Sequence, residues 1–343
     1  MTRGQLLVSF GRGVPQKVQA MRSIRPLFLV LGTLALLPAS FAQDLNVTLP
    51  VAELERMLAE EPLKIVSADK SRPKAPGDIT SRAEVSFGGR EPIRVKLRRS
   101  DPGAEGFNNV PRYDLAAYAV QQLLMDPNEY VMPPTALRMI PVAEFKSFYH
   151  DPAAVKPTFR GADEVLCVVQ YWLQNVRNPP DILDPAMFDA DPVYARHIGQ
   201  LNVFTYLIEH RDSNQGNFLI SKAEQGPRVF SIDHGVAFAS LDSDRGTDWL
   251  NLRVERLPRD TIERVRVLDK ETLTAKLGVL GQWELRDGHY LAVTPTANMG
   301  ANRGVRIRDG VVQMGLTREE ISAVVRQVKR LLSQVDRGRI TVY

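Results

Sequence analysis

Two short apolar runs constrain this chain more than any other feature. Phe218-Leu219-Ile220 and Phe230-Ser231-Ile232 are each strand-like, and a polar turn separates them. Pairing them as a hairpin brings their flanks together. The flank before the first run is His210-Arg211-Asp212-Ser213-Asn214-Gln215-Gly216-Asn217, and the flank after the second is Asp233-His234-Gly235. Asp212, Asn217 and Asp233 then meet at one end of the hairpin. Three oxygen-bearing side chains gathered in this way suit the positioning of a hydroxyl and the holding of a hard cation.

Composition narrows what such a site can serve. The chain has 343 residues and a formal charge of +4. Leu27–Leu37 is an apolar run too short to span a bilayer, with Arg22 and Arg25 before it and Ser40-Phe41-Ala42 after it. That pattern predicts a secretory signal over residues 1–42, with Met21 as a possible true start, and an exported, periplasmic or secreted product. The alternative is an N-terminal membrane anchor. The leader holds five basic residues and no acid, so without it the charge falls to −1. Net charge therefore gives no footprint for nucleic acid. The single cysteine, Cys167, lies in Val165-Leu166-Cys167-Val168-Val169, which predicts a packed thiol and no internal disulfide.

The rest of the chain reads as a strand-rich half followed by a helix-rich half. Thr80–Phe87 and Ile93–Leu97 alternate about a Gly88-Gly89 turn, which predicts a hairpin with Lys96 on the face opposite Ile93, Val95 and Leu97. A helix is expected over about 112–124, with Leu115, Ala119, Gln122 and Leu123 along one side and Asp114 in its first turn. Strands are expected over 131–139 and 164–172, and a connector rich in Pro and Asp over 173–190. Asp191-Pro192 is a helix start, and the periodicity runs to about Glu209. Helical patterns follow around 249–268 and 270–280, then a turn-rich stretch over 283–310 that suggests a hairpin insertion. Thr317-Arg318-Glu319-Glu320 is a capping box opening a last helix to about Val335.

His210-Arg211-Asp212 followed by Asn217 resembles the catalytic loop of protein kinases, and Asp233-His234-Gly235 resembles their metal-binding triplet. Leu207–Ile220 and Ser231–Phe238 are similar to phosphatidylinositol 3- and 4-kinase-like proteins and to secretory-pathway kinases. Tyr113–Tyr118 through Val131–Thr135 is similar to their helix and following strand. The resemblance spans about residues 63–280. It implies an α+β, two-lobed protein-kinase-like fold: a small antiparallel-sheet lobe (43–172) on a mostly helical lobe (173–343).

It also implies ATP or another nucleotide with Mg2+ or Mn2+, and transfer of a γ-phosphoryl group to a hydroxyl of a protein, sugar or lipid. Asp212 would orient the acceptor or act as base, and His210 would brace its loop. Asn217 and Asp233 would hold the metal, and Lys96 would hold phosphates. Asp114 stands nearest to the helix glutamate of kinases. The glycine-rich turn of kinases is replaced by a loop holding Lys70 and Arg72, whose charges either face the phosphates or are solvated. Two other readings stay open: a kinase-shaped binding module without turnover, and a metal-dependent hydrolase using the same oxygens.

Overall fold

In the computed structural model, the described residues run from Asn46 to Tyr343, apart from 71–79, 102, 107–109, 224 and 239–245. The expected leader and Arg72 lie outside them. After helix α1 (Val51–Ala59) come β1 (Leu63–Lys70), β2 (Thr80–Phe87) and β3 (Ile93–Arg99), then α2 (Pro111–Leu124), β4 (Thr135–Pro141), α3 (Val142–Phe148) and β5 (Glu164–Tyr171). The five strands form an antiparallel sheet in the order β1-β2-β3-β5-β4. The chain is thus α+β, with α2 inserted between the third and fourth strands.

β5 explains its own sequence. Val165, Cys167, Val169 and Tyr171 join the core formed with Leu54, Met57 and Leu58 of α1 and Val85, Val95 and Leu97 of β2 and β3. The alternate residues Leu166 and Val168 pack the other way, against Trp283, Tyr290, Val312 and Met314. A strand covered on both faces has no need of polar alternation. Cys167 is a buried free thiol, and burial raises its pKa.

Beyond β5 the connector is more ordered than its composition suggests. It contains β6 (Val176–Arg177) and helix α4 (Pro185–Ala190). Asp184 caps α4 by accepting from the Met187 amide at 3.1 Å, with proline at the first turn. Asp191-Pro192 repeats this device at α5 (Pro192–Ile208), where Asp191 accepts from Val193 and Tyr194. The first Asp-Pro pair is the signal that would have found α4.

α5 is buried on nearly every side and leads to the hairpin β7 (Phe218–Ser221) and β8 (Val229–Ser231), which pairs as expected, with Phe218 opposite Ser231. The helical pattern expected from residue 249 starts only at α6 (Arg259–Arg266), followed by α7 (Lys270–Leu277). Pro258 holds Leu257 extended, and Arg256–Leu257 form β9 instead. The turn-rich stretch is a four-stranded sheet rather than one hairpin. It comprises β10 (Gly281–Arg286), β11 (His289–Val293), β12 (Val305–Arg308) and β13 (Val311–Met314), in the order β11-β10-β13-β12.

The capping box on α8 (Arg318–Asp336) forms in both directions, and β14 (Thr341–Val342) closes the chain in parallel beside β9. Among the described residues no helix is long and apolar enough to cross a membrane.

α2 also differs from its pattern. Tyr113, Ala116, Ala117, Val120, Gln121 and Leu124 are buried, while Gln122 is exposed. The buried side joins the helical core with Leu201, Phe204, Ile321 and Val324, so the helix is enclosed nearly all round. Its first turn is tied to α8 by Arg112 and Tyr113, both bonded to the Glu320 carboxylate at 2.6–2.9 Å.

Candidate functional site

The loop carrying Asp212 is set by the end of α5. Glu209 turns into the left-handed region at φ 49°, and the Arg211 amide then donates to Val236 oxygen at 3.1 Å. Asn214 shapes the next turn, its side-chain oxygen accepting from the Gly216 amide at 2.9 Å. Gly246 pins the loop from outside by accepting from the amide and hydroxyl of Ser213. Its φ is +83°, and a Cβ there would lie 2.5 Å from the Asn214 nitrogen, so only glycine fits.

Two amides fix the Asp212 carboxylate. Asn214 donates to Oδ1 at 2.8 Å, and Asn217 donates to Oδ2 at 3.0 Å. The hairpin then carries the chain to Asp233, because the Ile232 amide donates to Asn217 oxygen at 3.0 Å. Asp233 sits at φ +64°, a conformation that aspartate tolerates better than most residues. Its carboxylate forms an ion pair with Lys96 of β3. Asp212, Asn217, Asp233 and Lys96 therefore form one connected set, drawn from a strand and a hairpin far apart in sequence.

Beside them lies a cleft of about 440 Å3, within the size range of small-molecule sites. Thr80, Lys96, Gln170 and Trp172 line it from the large sheet. Gly216, Asn217, Leu219, Ile232 and Asp233 line it from the hairpin. Charged and oxygen-bearing groups thus share walls with apolar ones.

Behind the hairpin is a buried histidine pair. His210 and His234 have no exposed surface, and their rings lie 4.7 Å apart. Burial holds His210 down at about 3 and His234 well below the ordinary value, so both are neutral. His210 Nε2 lies 3.3 Å from the Asp233 carbonyl, which can only accept, so this nitrogen carries the proton. His210 Nδ1 then accepts from Ser231 Oγ at 3.4 Å, and Ser231 Oγ accepts from His234 Nε2 at 2.9 Å. The His210 side chain was expected to brace its own loop, and its ring contact falls on the main chain of Asp233. His197 on α5 is also buried, and burial lowers it to about 4.

Asp114 is placed differently from the helix carboxylate that the kinase resemblance implies. Its ion pair is with Arg98, two residues beyond Lys96 on the same strand face, while Lys96 turns to Asp233. The Arg98 and Asp114 side chains are 7% and 1% exposed. Burial lowers Arg98 only to about 10, so its guanidinium is charged at neutral pH. Arg98 also fills the space over Gly235, where a Cβ would lie 2.7 Å from its guanidinium.

Arg98 was not singled out in the sequence, although Lys96-Leu97-Arg98 alternation places it beside Lys96. Asp114→Ala is expected to cost about 3–5 kcal/mol in urea unfolding, because Arg98 stays buried without its partner. Arg98→Met with Asp114→Leu should recover most of that loss. A double variant as unstable as the single one would refute the pairing argument. Of the two loop cations, Arg72 lies outside the described residues, and only the main chain of Lys70 is described, at the end of β1.

Among the described residues there is no group of three or more His, Cys, Asp or Glu side chains that would hold a metal. The Asn217 and Asp233 oxygens suit a cation that takes few protein ligands and completes its shell from phosphate and water. The Lys96 ammonium already balances Asp233, so the carboxylate sits where a positive charge is accommodated. No protein-family model matches this chain, and no curated protein matches it.

Proposed function

We propose that this chain is an exported kinase-like phosphotransferase, moving the γ-phosphoryl of ATP or another nucleotide to a hydroxyl acceptor. The observation that carries the reading is the joining of Lys96, Asn217 and Asp233 at one cleft, with the Asp212 carboxylate bonded to Asn217 beside it. A further support for the reading is the five-strand antiparallel order with a helix between the third and fourth strands.

In this reading the apolar floor of Leu219 and Ile232 takes the base, with Gln170 and Trp172 beside it. Lys96 binds phosphate oxygens. Asp212 accepts the acceptor hydroxyl's hydrogen bond and takes its proton as the oxygen attacks the γ-phosphorus and the bond to the β-phosphate oxygen breaks, releasing the nucleoside diphosphate, and its two amide donors hold the carboxylate in place for this. Asn217 and Asp233 would hold Mg2+ or Mn2+, which supplies positive charge to the phosphates. His210 and Ser231 keep the Asp233 main chain in its left-handed turn.

One observation favours a second reading, a nucleotide-binding module without turnover. The Lys96 ammonium and the Asp233 carboxylate form an ion pair with each other across the cleft. The purified protein with saturating ATP and Mg2+ or Mn2+ should melt higher by about 5 °C or more. Asp233→Ala should remove that rise. No rise with either metal would refute both readings. A rise without phosphate transfer to water, to the protein itself or to any hydroxyl acceptor supplied would leave the module. Metal binding with no preference for nucleotide would favour a hydrolase.

A further inference from the structure

Among the described residues, the second sheet ends in an open edge, where β12 has a strand neighbour only in β13. The Gly315 amide donates to Gly304 oxygen at 3.1 Å, and the register continues as Val305–Met314, Arg306–Gln313, Ile307–Val312 and Arg308–Val311. By the two-residue alternation of an antiparallel ladder, Arg306 and Arg308 bond to β13, so Val305 and Ile307 turn their main-chain groups to the open side. The Ile307 side chain is 58% exposed. Such an edge is a template for another strand.

A strongly basic pocket lies beside this edge. It measures about 400 Å3, is lined by Arg303, Arg306, Arg308 and Arg318, and has no carboxylate in its wall among the described residues. Arg306 is its fixed part. It is buried, and it donates to the carbonyls of Gly300, Gly278 and Leu316 at 2.8–3.2 Å. Arg303, Arg308 and Arg318 are exposed, and none of them forms an ion pair among the described residues. Arg94, Arg264 and Arg266 elsewhere on the surface each hold a carboxylate. The same arginines would repel a second copy of this edge laid against it, so the charge points to an occupant of opposite sign.

We propose that β12 and the arginine pocket bind an extended acidic segment of a partner protein. Its main chain would pair with Val305 and Ile307, and its carboxylates would meet Arg303, Arg308 and Arg318. This surface stands independently of the phosphotransfer reading.

The test is fluorescence anisotropy with a fluorescein-labelled octapeptide alternating Val and Glu, against a control alternating Val and Lys. Binding of the Glu peptide alone is expected, weakening as salt rises. It should fall by about tenfold or more in R303E/R308E, which reverses the charge. It should fall similarly in Ile307→Pro, which removes an outward-facing donor without touching the β13 ladder. Circular dichroism and melting curves check that each variant is folded, and either folded variant is enough to decide. Absence of binding to the Glu peptide overturns the proposal. So does binding that both variants leave unchanged. Displacement of the peptide by inorganic phosphate, with Ile307→Pro binding as well as the parent, also overturns it in favour of a simple anion subsite.

Discussion

Asp212→Asn is expected to lower phosphoryl transfer by about 10²–10⁴-fold, the usual contribution of a positioned general base, while nucleotide binding stays nearly unchanged. The separation follows from geometry. Asp212 accepts from Asn214 and Asn217 and does not line the cleft, whereas Asn217 and Asp233 do. An asparagine has the same shape but turns an NH2 group toward one of two donors. The loop then loses one hydrogen bond, of about 1 kcal/mol, and keeps its fold. Asp233→Ala should behave differently and lose transfer and metal-dependent nucleotide binding together. Single-turnover rates and melting shifts on both variants check this. Equal transfer rates in Asp212→Asn and the parent would remove Asp212 from the reaction.

Acid should unfold the protein steeply, and the buried histidines set the window. His210 and His197 are held near 3 and 4, and His234 lies well below the ordinary 6.5. The folded values are depressed, so below pH 6.5 the unfolded chain takes up protons that the folded chain refuses. Stability from this source is fully present above pH 6.5 and is lost as pH falls toward 4 and then 3. Each imidazole contributes at most about 1.4 kcal/mol per pH unit, so the three together approach about 4 kcal/mol per unit near pH 5. A typical domain has only about 5–15 kcal/mol to lose. Urea midpoints at pH 7.5, 6 and 5 should therefore drop sharply, and His197→Gln should reduce the slope by about a third. A midpoint constant from pH 7.5 to 5 would contradict this account.

The parts of the fold that were legible in the sequence rest on local chemistry. Asp191-Pro192 and the Thr317–Glu320 box state their helix starts outright, and β7 and β8 pair because their apolar runs leave few alternatives. The placement of Lys96 followed from alternation alone, since Val95 and Leu97 belong to the core on the other face.

What was not legible depends on distant partners. α2 is wrapped by residues from α5 and α8, so its exposed side is too narrow for a periodic signal. The assignment of Asp114 to Arg98 and of Lys96 to Asp233 turns on which of two cations on one strand face each carboxylate meets. No spacing encodes that choice. The second sheet was hidden for a similar reason. Its strands are short, and their apolar residues are buried against Leu137 of β4, Leu166 and Val168 of β5, and Ala104 and Phe159.

The contact between Lys96 and Asp233 joins residues 137 apart in sequence, one on the sheet and one on the hairpin. It works as an electrostatic latch. A phosphate seeking the lysine competes with the carboxylate, and a cation seeking the carboxylate competes with the lysine. Each ligand alone would have to break the contact between the two side chains and replace only one half of it. Together they convert one pair into two. Nucleotide and metal should consequently enter cooperatively, each raising the other's affinity by the same factor, although neither touches the other's protein group.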